Sequence, residues 1–79
     1  MHIYFYTKPD CTLCDEGQSR AEMAVEETGA SMTVRSIEDR EEWLERYHLS
    51  VPVVTDTEGN VLQEGMVFYG ELLAQLKER

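Results

Sequence analysis

Seventy-nine residues, 42% hydrophobic and 29% charged, suit one small domain spanning residues 1–79, of a size that buries about 60% of the surface its unfolded chain exposes. A formal net charge of −9 excludes the basic surfaces that nucleic-acid backbones and anionic membranes reward, and no apolar run approaches the roughly 20 residues of a membrane span. Met1 leads straight into a predicted strand with no basic, then apolar, leader, so the expectation is a cytoplasmic monomer with no nucleic-acid or membrane partner.

His2-Ile3-Tyr4-Phe5-Tyr6 carries β-branched and aromatic bulk on both alternating sets, which predicts a central strand covered on both faces. Pro9 stops it. Thr12 followed by Asp15 has the pattern of a capping box and places a helix start at Cys11 or Thr12. In that helix Cys14, Gly17, Ala21, Ala24, Val25 and Thr28 line one face, small enough at Gly17 and Ala21 to approach a sheet closely, while Glu16, Arg20, Glu26 and Glu27 face outward. Gly29 caps it. Met32 to Ile37 reads as a second strand, parallel to the first through a right-handed helical crossover.

Asp39 and Glu42 form a second capping pattern, for a short helix with Trp43, Leu44 and Tyr47 on its packed face. It ends near His48-Leu49, because Pro52 biases Val51 toward an extended conformation. Val53 to Thr55 and Val61 to Gln63 make a hairpin about the turn Thr57 to Asn60, with Gly59 supplying a positive φ. Gly65 and Gly70 bracket an apolar patch, Met66 to Tyr69, that fits no single period. Leu72, Leu73 and Leu76 then share one face of a terminal helix.

The chemistry is concentrated in Thr7-Lys8-Pro9-Asp10-Cys11-Thr12-Leu13-Cys14, which holds the only two cysteines. A disulfide between them closes almost no loop, and chain-entropy stabilisation grows with loop length, so reactivity is the better reason for the pair. In a reducing compartment such a pair is catalytic or metal-binding. His2 and His48 would complete a tetrahedral set, but structural zinc sites bring the second ligand pair in closely spaced. No metal is therefore expected: His2 reads as an exposed residue at a strand start, and His48 as a helix-end residue whose imidazole meets the last carbonyls. A cluster bridged by the thiols between two chains is a further alternative. So is a non-catalytic interaction module that docks through its acidic surface.

With these elements in order, the chain resembles the thioredoxin fold, and more closely the short glutaredoxin-like redoxins, over nearly its full length. The matching residues are Tyr6-Thr7-Lys8-Pro9-Asp10-Cys11-Thr12-Leu13-Cys14, an aromatic, hydroxyl, Lys, x, x, Cys, x, x, Cys opening, and Val51-Pro52 ahead of a strand. The resemblance implies an α/β fold, β-α-β-α-β-β-α, with a central four-stranded mixed sheet flanked by helices. It implies a thiol-disulfide oxidoreductase with no bound cofactor, acting through Cys11 and Cys14 on a disulfide-containing protein or small thiol. It also implies a cis bond before Pro52, a main-chain substrate contact at Val51, and substrate contacts at Tyr6, Leu13 and Phe68, with Tyr69 beside the same groove. The electron donor would be glutathione or a flavoprotein reductase. Many glutathione-dependent members carry an aromatic residue between the cysteines, where this chain has Leu13, and a Gly-Gly pair and an Asp before the last helix, where it has Glu64-Gly65-Met66-Val67. Short redoxins reduced by a flavoprotein reductase share the opening motif but not the C-terminal pattern, and a third group, small glutaredoxin-like proteins, looks nearest.

In such a site the thiolate attacks. The positive end of the helix and Lys8, each contributing about 0.3 to 1 kcal/mol, favour ionised Cys11, while Asp10, Asp15 and Glu16 oppose it. A modest lowering of the Cys11 pKa is the expected balance. Cys14, one turn later on the inner face, is expected to be shielded and to act as the resolving thiol.

Overall fold

Ile3 and Phe5 point to one side of the first strand and Tyr6 to the other, and all three are buried. That alternation divides the core in the computed structural model, which describes residues 1–78. The elements are β1 (His2–Thr7), α1 (Thr12–Thr28), β2 (Ser31–Ser36), a 3-10 turn (Ile37–Asp39), α2 (Glu41–Tyr47), β3 (Val53–Asp56), β4 (Val61–Glu64) and α3 (Tyr69–Lys77). The four strands form one mixed sheet in the order β2-β1-β3-β4. β1 runs parallel to β2 and antiparallel to β3, and β3 and β4 form the hairpin. Among the described residues no helix is long and apolar enough to cross a membrane.

On one face, Ile3 and Phe5 of β1, Val54 of β3 and Leu62 of β4 meet Ala21 and Ala24 of α1 and Leu72 and Leu76 of α3. On the other, Tyr6 and Val53 gather Cys14, Ile37, Tyr47 and Val51. Each large side chain so buried is worth about 1.5 to 3 kcal/mol of transfer free energy. Gln63 ties the hairpin to α3 by donating to Gln75 Oε1 at 3.1 Å, and Gln75 donates in turn to the Leu62 carbonyl at 3.0 Å. The hairpin turn itself closes on Asp56, whose carboxylate accepts from the Glu58 and Asn60 backbone N–H groups, both at 2.9 Å.

Four local readings of the sequence are corrected. α1 is capped by Cys11, not by the Thr12 hydroxyl. β2 ends at Ser36, because Ile37 turns inward to full burial in the 3-10 segment, where the Ser36 hydroxyl accepts from the Glu38 N–H. Asp39 is used up in that segment, so α2 starts after Arg40 with no side-chain cap. On α2 only Tyr47 is buried and Trp43 half-buried, while Leu44 turns to solvent at 43% exposure. In a helix of seven residues the i, i+4 pair Trp43 and Tyr47 defines the covered stripe, and a residue one step round lies outside it. The apolar patch resolves into a buried Val67 and a half-exposed Phe68 that immediately precedes α3.

Gly29, at φ 73°, closes α1 in the left-handed conformation that a glycine adopts without cost. Gly17 serves a different need. A Cβ there would lie 3.1 Å from Pro52 Cγ, 3.1 Å from Val67 Cγ2 and 3.5 Å from Phe5 Cζ, so the absence of a side chain lets α1 settle onto the sheet.

Gly17→Ala should therefore destabilise the protein by about 1 kcal/mol, because an overpacking cost of about 1 to 3 kcal/mol exceeds the helix-propensity gain of about 1 kcal/mol. Gly70→Ala in α3, where a Cβ meets nothing within 4 Å, should keep that gain. Urea midpoints of the two variants are expected to move in opposite directions, and movement in the same direction would refute the close-approach account.

Candidate active site

The turn out of β1 sets the site. Asp10 adopts φ 54°, a left-handed conformation that Asp tolerates better than most residues, and delivers Cys11 in an extended conformation to the N-cap of α1. The Cys11 sulfur takes the place of the usual capping oxygen and accepts from the Cys14 backbone N–H at 3.1 Å. The Asp15 N–H closes the first turn on the Cys11 carbonyl at 3.1 Å. Cys11 and Cys14 are joined as a disulfide with their Cα atoms 5.2 Å apart. Their surroundings differ: Cys11 is partly accessible, whereas Cys14 is completely buried.

Opposite them lies the Val51–Pro52 bend, with a cis peptide bond. The Val51 N–H donates to the Tyr47 carbonyl at 3.1 Å, and the Gly65 N–H is shared between the Ser50 and Pro52 carbonyls at 2.8 and 2.9 Å. These bonds tie the bend to the end of α2 on one side and to the end of β4 on the other. Pro52 is buried against the Gly17 backbone.

An aromatic wall completes the site. The Tyr6 ring lies 4.5 Å from that of Tyr47 and 5.5 Å edge-on to Trp43. Its hydroxyl accepts from Arg35 Nη1 at 2.9 Å, across the register that pairs Tyr6 with Arg35. The Arg35 guanidinium rests 3.6 Å above the Tyr4 ring and 4.9 Å from Trp43, and Arg46 stands 5.9 Å from the Tyr47 ring. Burial raises the Tyr47 pKa above 10.0, the neighbouring Tyr6 adds to the rise, and the Arg46 and Arg35 charges pull against it.

Of the residues singled out in the sequence, Cys11, Cys14, Tyr6 and Val51 share one cluster, and Pro52, next to Val51, packs against Gly17 one turn beyond Cys14. Tyr6 is almost fully buried, at 5% exposure, so its ring forms the floor behind the cysteines. Leu13 is 44% exposed between them. Lys8 is exposed in the turn and, among the described residues, pairs with no carboxylate. Phe68 lies outside the cysteine cluster, 51% exposed at the N-cap of α3, with its N–H donating to Gln63 Oε1. Tyr69 opens that helix and is half-buried. The histidines are placed elsewhere. His2 bridges the Ser31 and Thr33 hydroxyls at 2.6 and 2.7 Å at the start of β1, and His48 Nδ1 donates to the Leu44 carbonyl at 2.9 Å. Arg35 was not singled out, because only the parallel register of β1 and β2 brings it to Tyr6.

A family model for the glutaredoxin-like domain (DUF836) matches residues 2–77. The chain belongs to this family. Among solved structures, this glutaredoxin-like protein is similar to the structural-genomics target protein XcR50 from X. campestris, at 28% identity over 98% of this chain and 97% of that one, with a TM-score of 0.71. It also matches thioredoxin 1 from Thermosipho africanus TCF52B at 13% identity over 99% and 92% of the two chains, TM-score 0.71. Oxidised thioredoxin from Plasmodium falciparum matches at 12% identity over 98% and 78%, TM-score 0.67. The fold is thioredoxin-like. No curated protein matches the sequence.

The raised Tyr47 pKa has a consequence for stability. Below pH 10.0 the phenol keeps its proton in both the folded and the unfolded chain; as pH rises above that value the unfolded chain gives up the proton first, so stability falls. The urea midpoint should therefore decline through this alkaline range, and less steeply in Tyr47→Phe. Some decline should persist in the variant, because Tyr69 is shifted the same way by partial desolvation and by Glu27. An unchanged slope would show that Tyr47 does not contribute.

Proposed function

We propose that this glutaredoxin-like domain is a thiol-disulfide oxidoreductase that reduces protein or small-molecule disulfides through the Cys11–Cys14 dithiol. The observation that carries the reading is the unequal placement of the two sulfurs: one caps a helix N-terminus within reach of solvent, and the other is fully buried one turn behind it. A structural staple has no use for that difference, whereas disulfide exchange needs an attacking sulfur and a resolving one.

In the reduced protein, the Cys11 thiolate attacks one sulfur of the substrate disulfide. A Cys11–substrate mixed disulfide forms, the substrate S–S bond breaks, and the leaving thiolate takes up a proton. Cys14, deprotonated in turn, attacks the Cys11 sulfur and releases the second substrate thiol. Two electrons and two protons have then passed to the substrate, and the Cys11–Cys14 disulfide remains. A thiol donor such as glutathione, or a flavoprotein reductase, returns the electrons in the reducing setting of the cytoplasm.

The Cys14 N–H and the helix N-terminus stabilise charge on the Cys11 sulfur. Lys8, unpaired in the turn, adds to them. Leu13 and Phe68 offer apolar contact, Pro52 shapes the bend opposite the cysteines, and the main chain of Val51 lines up a substrate strand. Because the Val51 N–H is held by Tyr47, its carbonyl is the group that receives a substrate N–H.

Cys14→Ser should accumulate a mixed disulfide through Cys11, visible as a mass increase equal to one substrate half, whereas Cys11→Ser should accumulate none. If neither variant traps an adduct with a disulfide that the native protein reduces, the two-cysteine route is wrong. Alkylation of the reduced protein should show a pH midpoint below the value of about 8.5 for a free cysteine. A midpoint above it would remove the helix-end account of Cys11.

A further inference from the structure

The arginines at the aromatic wall are used in an unexpected way. The chain carries 16 Asp and Glu against 7 Lys and Arg, so carboxylate partners are abundant, yet the ion pair among the described residues is Arg40 with Glu42, an exposed contact at 3.6 Å. Among the described residues neither Arg35 nor Arg46 has one. Arg35 is half-buried, with its guanidinium carbon 3.6 Å above the centre of the Tyr4 ring and one N–H given to the Tyr6 hydroxyl. Its guanidinium carries five N–H donors, and among the described residues none of the others makes an ion pair. Arg46 stands over Tyr47, and Tyr47 stacks on Tyr6 at 4.5 Å. Two guanidinium groups thus flank one tyrosine pair, and that pair belongs to the same cluster as Cys11 and Cys14.

We propose that Arg35 and Arg46 form a carboxylate-recognition site, which selects polypeptide disulfides carrying an acidic side chain next to the reacting cysteine. Stacking on an aromatic ring offsets only a small part of a cation's lost hydration at partly exposed sites. A bidentate carboxylate supplies charge-assisted hydrogen bonds in the plane that stacking leaves open. A polypeptide suits the surroundings better than a small anion. Two hollows of the surface lie away from it, beside Met1, His2 and Asp56 and beside Met23 and Glu26, while the dithiol is flanked by the exposed apolar Leu13 and the Val51 main chain, features that an extended chain can cover. The exposed acids of this region, Glu38, Asp39, Glu41, Glu42 and Glu45, make its long-range field negative. The selection is therefore a contact effect at the two guanidinium groups and not electrostatic steering.

This inference rests on the exchange activity proposed above, and the test separates the two. Two disulfide-linked peptides identical except for Glu or Gln beside the cysteine are compared as substrates at about 0.15 M salt, where screening acts beyond about 8 Å. The Glu peptide should have a kcat/KM about tenfold higher, and the ratio should drop toward one in Arg35→Gln and in Arg46→Gln. Arg46 is exposed, so its variant decides the matter should loss of the Arg35 stack impair folding. Serine-for-cysteine versions of both peptides are titrated against the reduced protein, with the fluorescence of Trp43 as readout. Tighter binding of the Glu version without reduction of either disulfide peptide would support the carboxylate site and sink the exchange activity. Equal binding and equal kcat/KM in the native protein would overturn the carboxylate site and leave the exchange activity standing.

Discussion

The contact on which the rest depends is the approach of α1 to the Val51–Pro52 bend, possible because Gly17 has no side chain to hold the two apart. Gly17 lies one turn beyond Cys14 on the same face, so the depth of this contact sets the depth of Cys14. With the helix seated, Cys14 fills space among Tyr6, Ile37, Val51 and Val53. A helix lifted by the width of a methyl group would leave a void there, and voids cost about 24 cal/mol per Å³. The same seating brings Val67 against the helix, so the segment before α3 is positioned by a contact made in the first quarter of the chain. The small residues of α1 are a geometric requirement of the site as much as of the core.

Charge is distributed in a way that the net value conceals. Acidic side chains cover the outer faces of α1 and α2 and contribute little to the fold, since exposed charges at such spacings interact weakly. At the rings of the aromatic wall the contacts are different. Guanidinium groups rest on ring faces, Tyr47 keeps its proton more firmly than a free phenol, and apolar side chains shut water out behind the cysteines. Electrostatic effects are amplified there because the local dielectric is low. A net charge of −9 therefore says little about the direct contacts that a substrate meets beside the dithiol.

The element order, the covered face of α1, the hairpin and the capping role of Gly29 were legible in the sequence because each depends on local periodicity or on one residue's conformational freedom. The cis bond at Pro52 was legible only through family resemblance; nothing in the residues around it distinguishes cis from trans. The cap of α1 was misplaced because Thr12 and Asp15 imitate a capping box one position late, and the left-handed Asp10 that moves the true cap to Cys11 leaves no pattern. Leu44 was misassigned because a two-turn helix offers too few residues to choose between i+3 and i+4 stripes. Arg35 and Asp56 had no signal at all. A strand arginine acquires its stack from the register with the neighbouring strand, and a turn aspartate acquires its N–H partners from the loop that it closes.

The Cys11 sulfur both caps a helix and carries the proposed chemistry, and the two roles are thermodynamically linked. As half of a disulfide, the sulfur is a neutral and weak acceptor for the Cys14 N–H. As a thiolate it becomes an ionised acceptor, and hydrogen bonds to ionised groups are roughly twice as strong as neutral ones. The helix start is thus better capped when the site is reduced and Cys11 ionised, which moves free energy toward the attacking state without any rearrangement of the backbone. Cys14 stands in the opposite environment. Its sulfur is buried among apolar side chains, where a charge is costly, and in the proposed exchange it acts second, once the mixed disulfide at Cys11 gives it an electrophile within one helical turn. The proposed order of attack and resolution follows from where each sulfur sits along α1, and that placement is fixed by the Asp10 turn at one end and the Gly17 contact at the other.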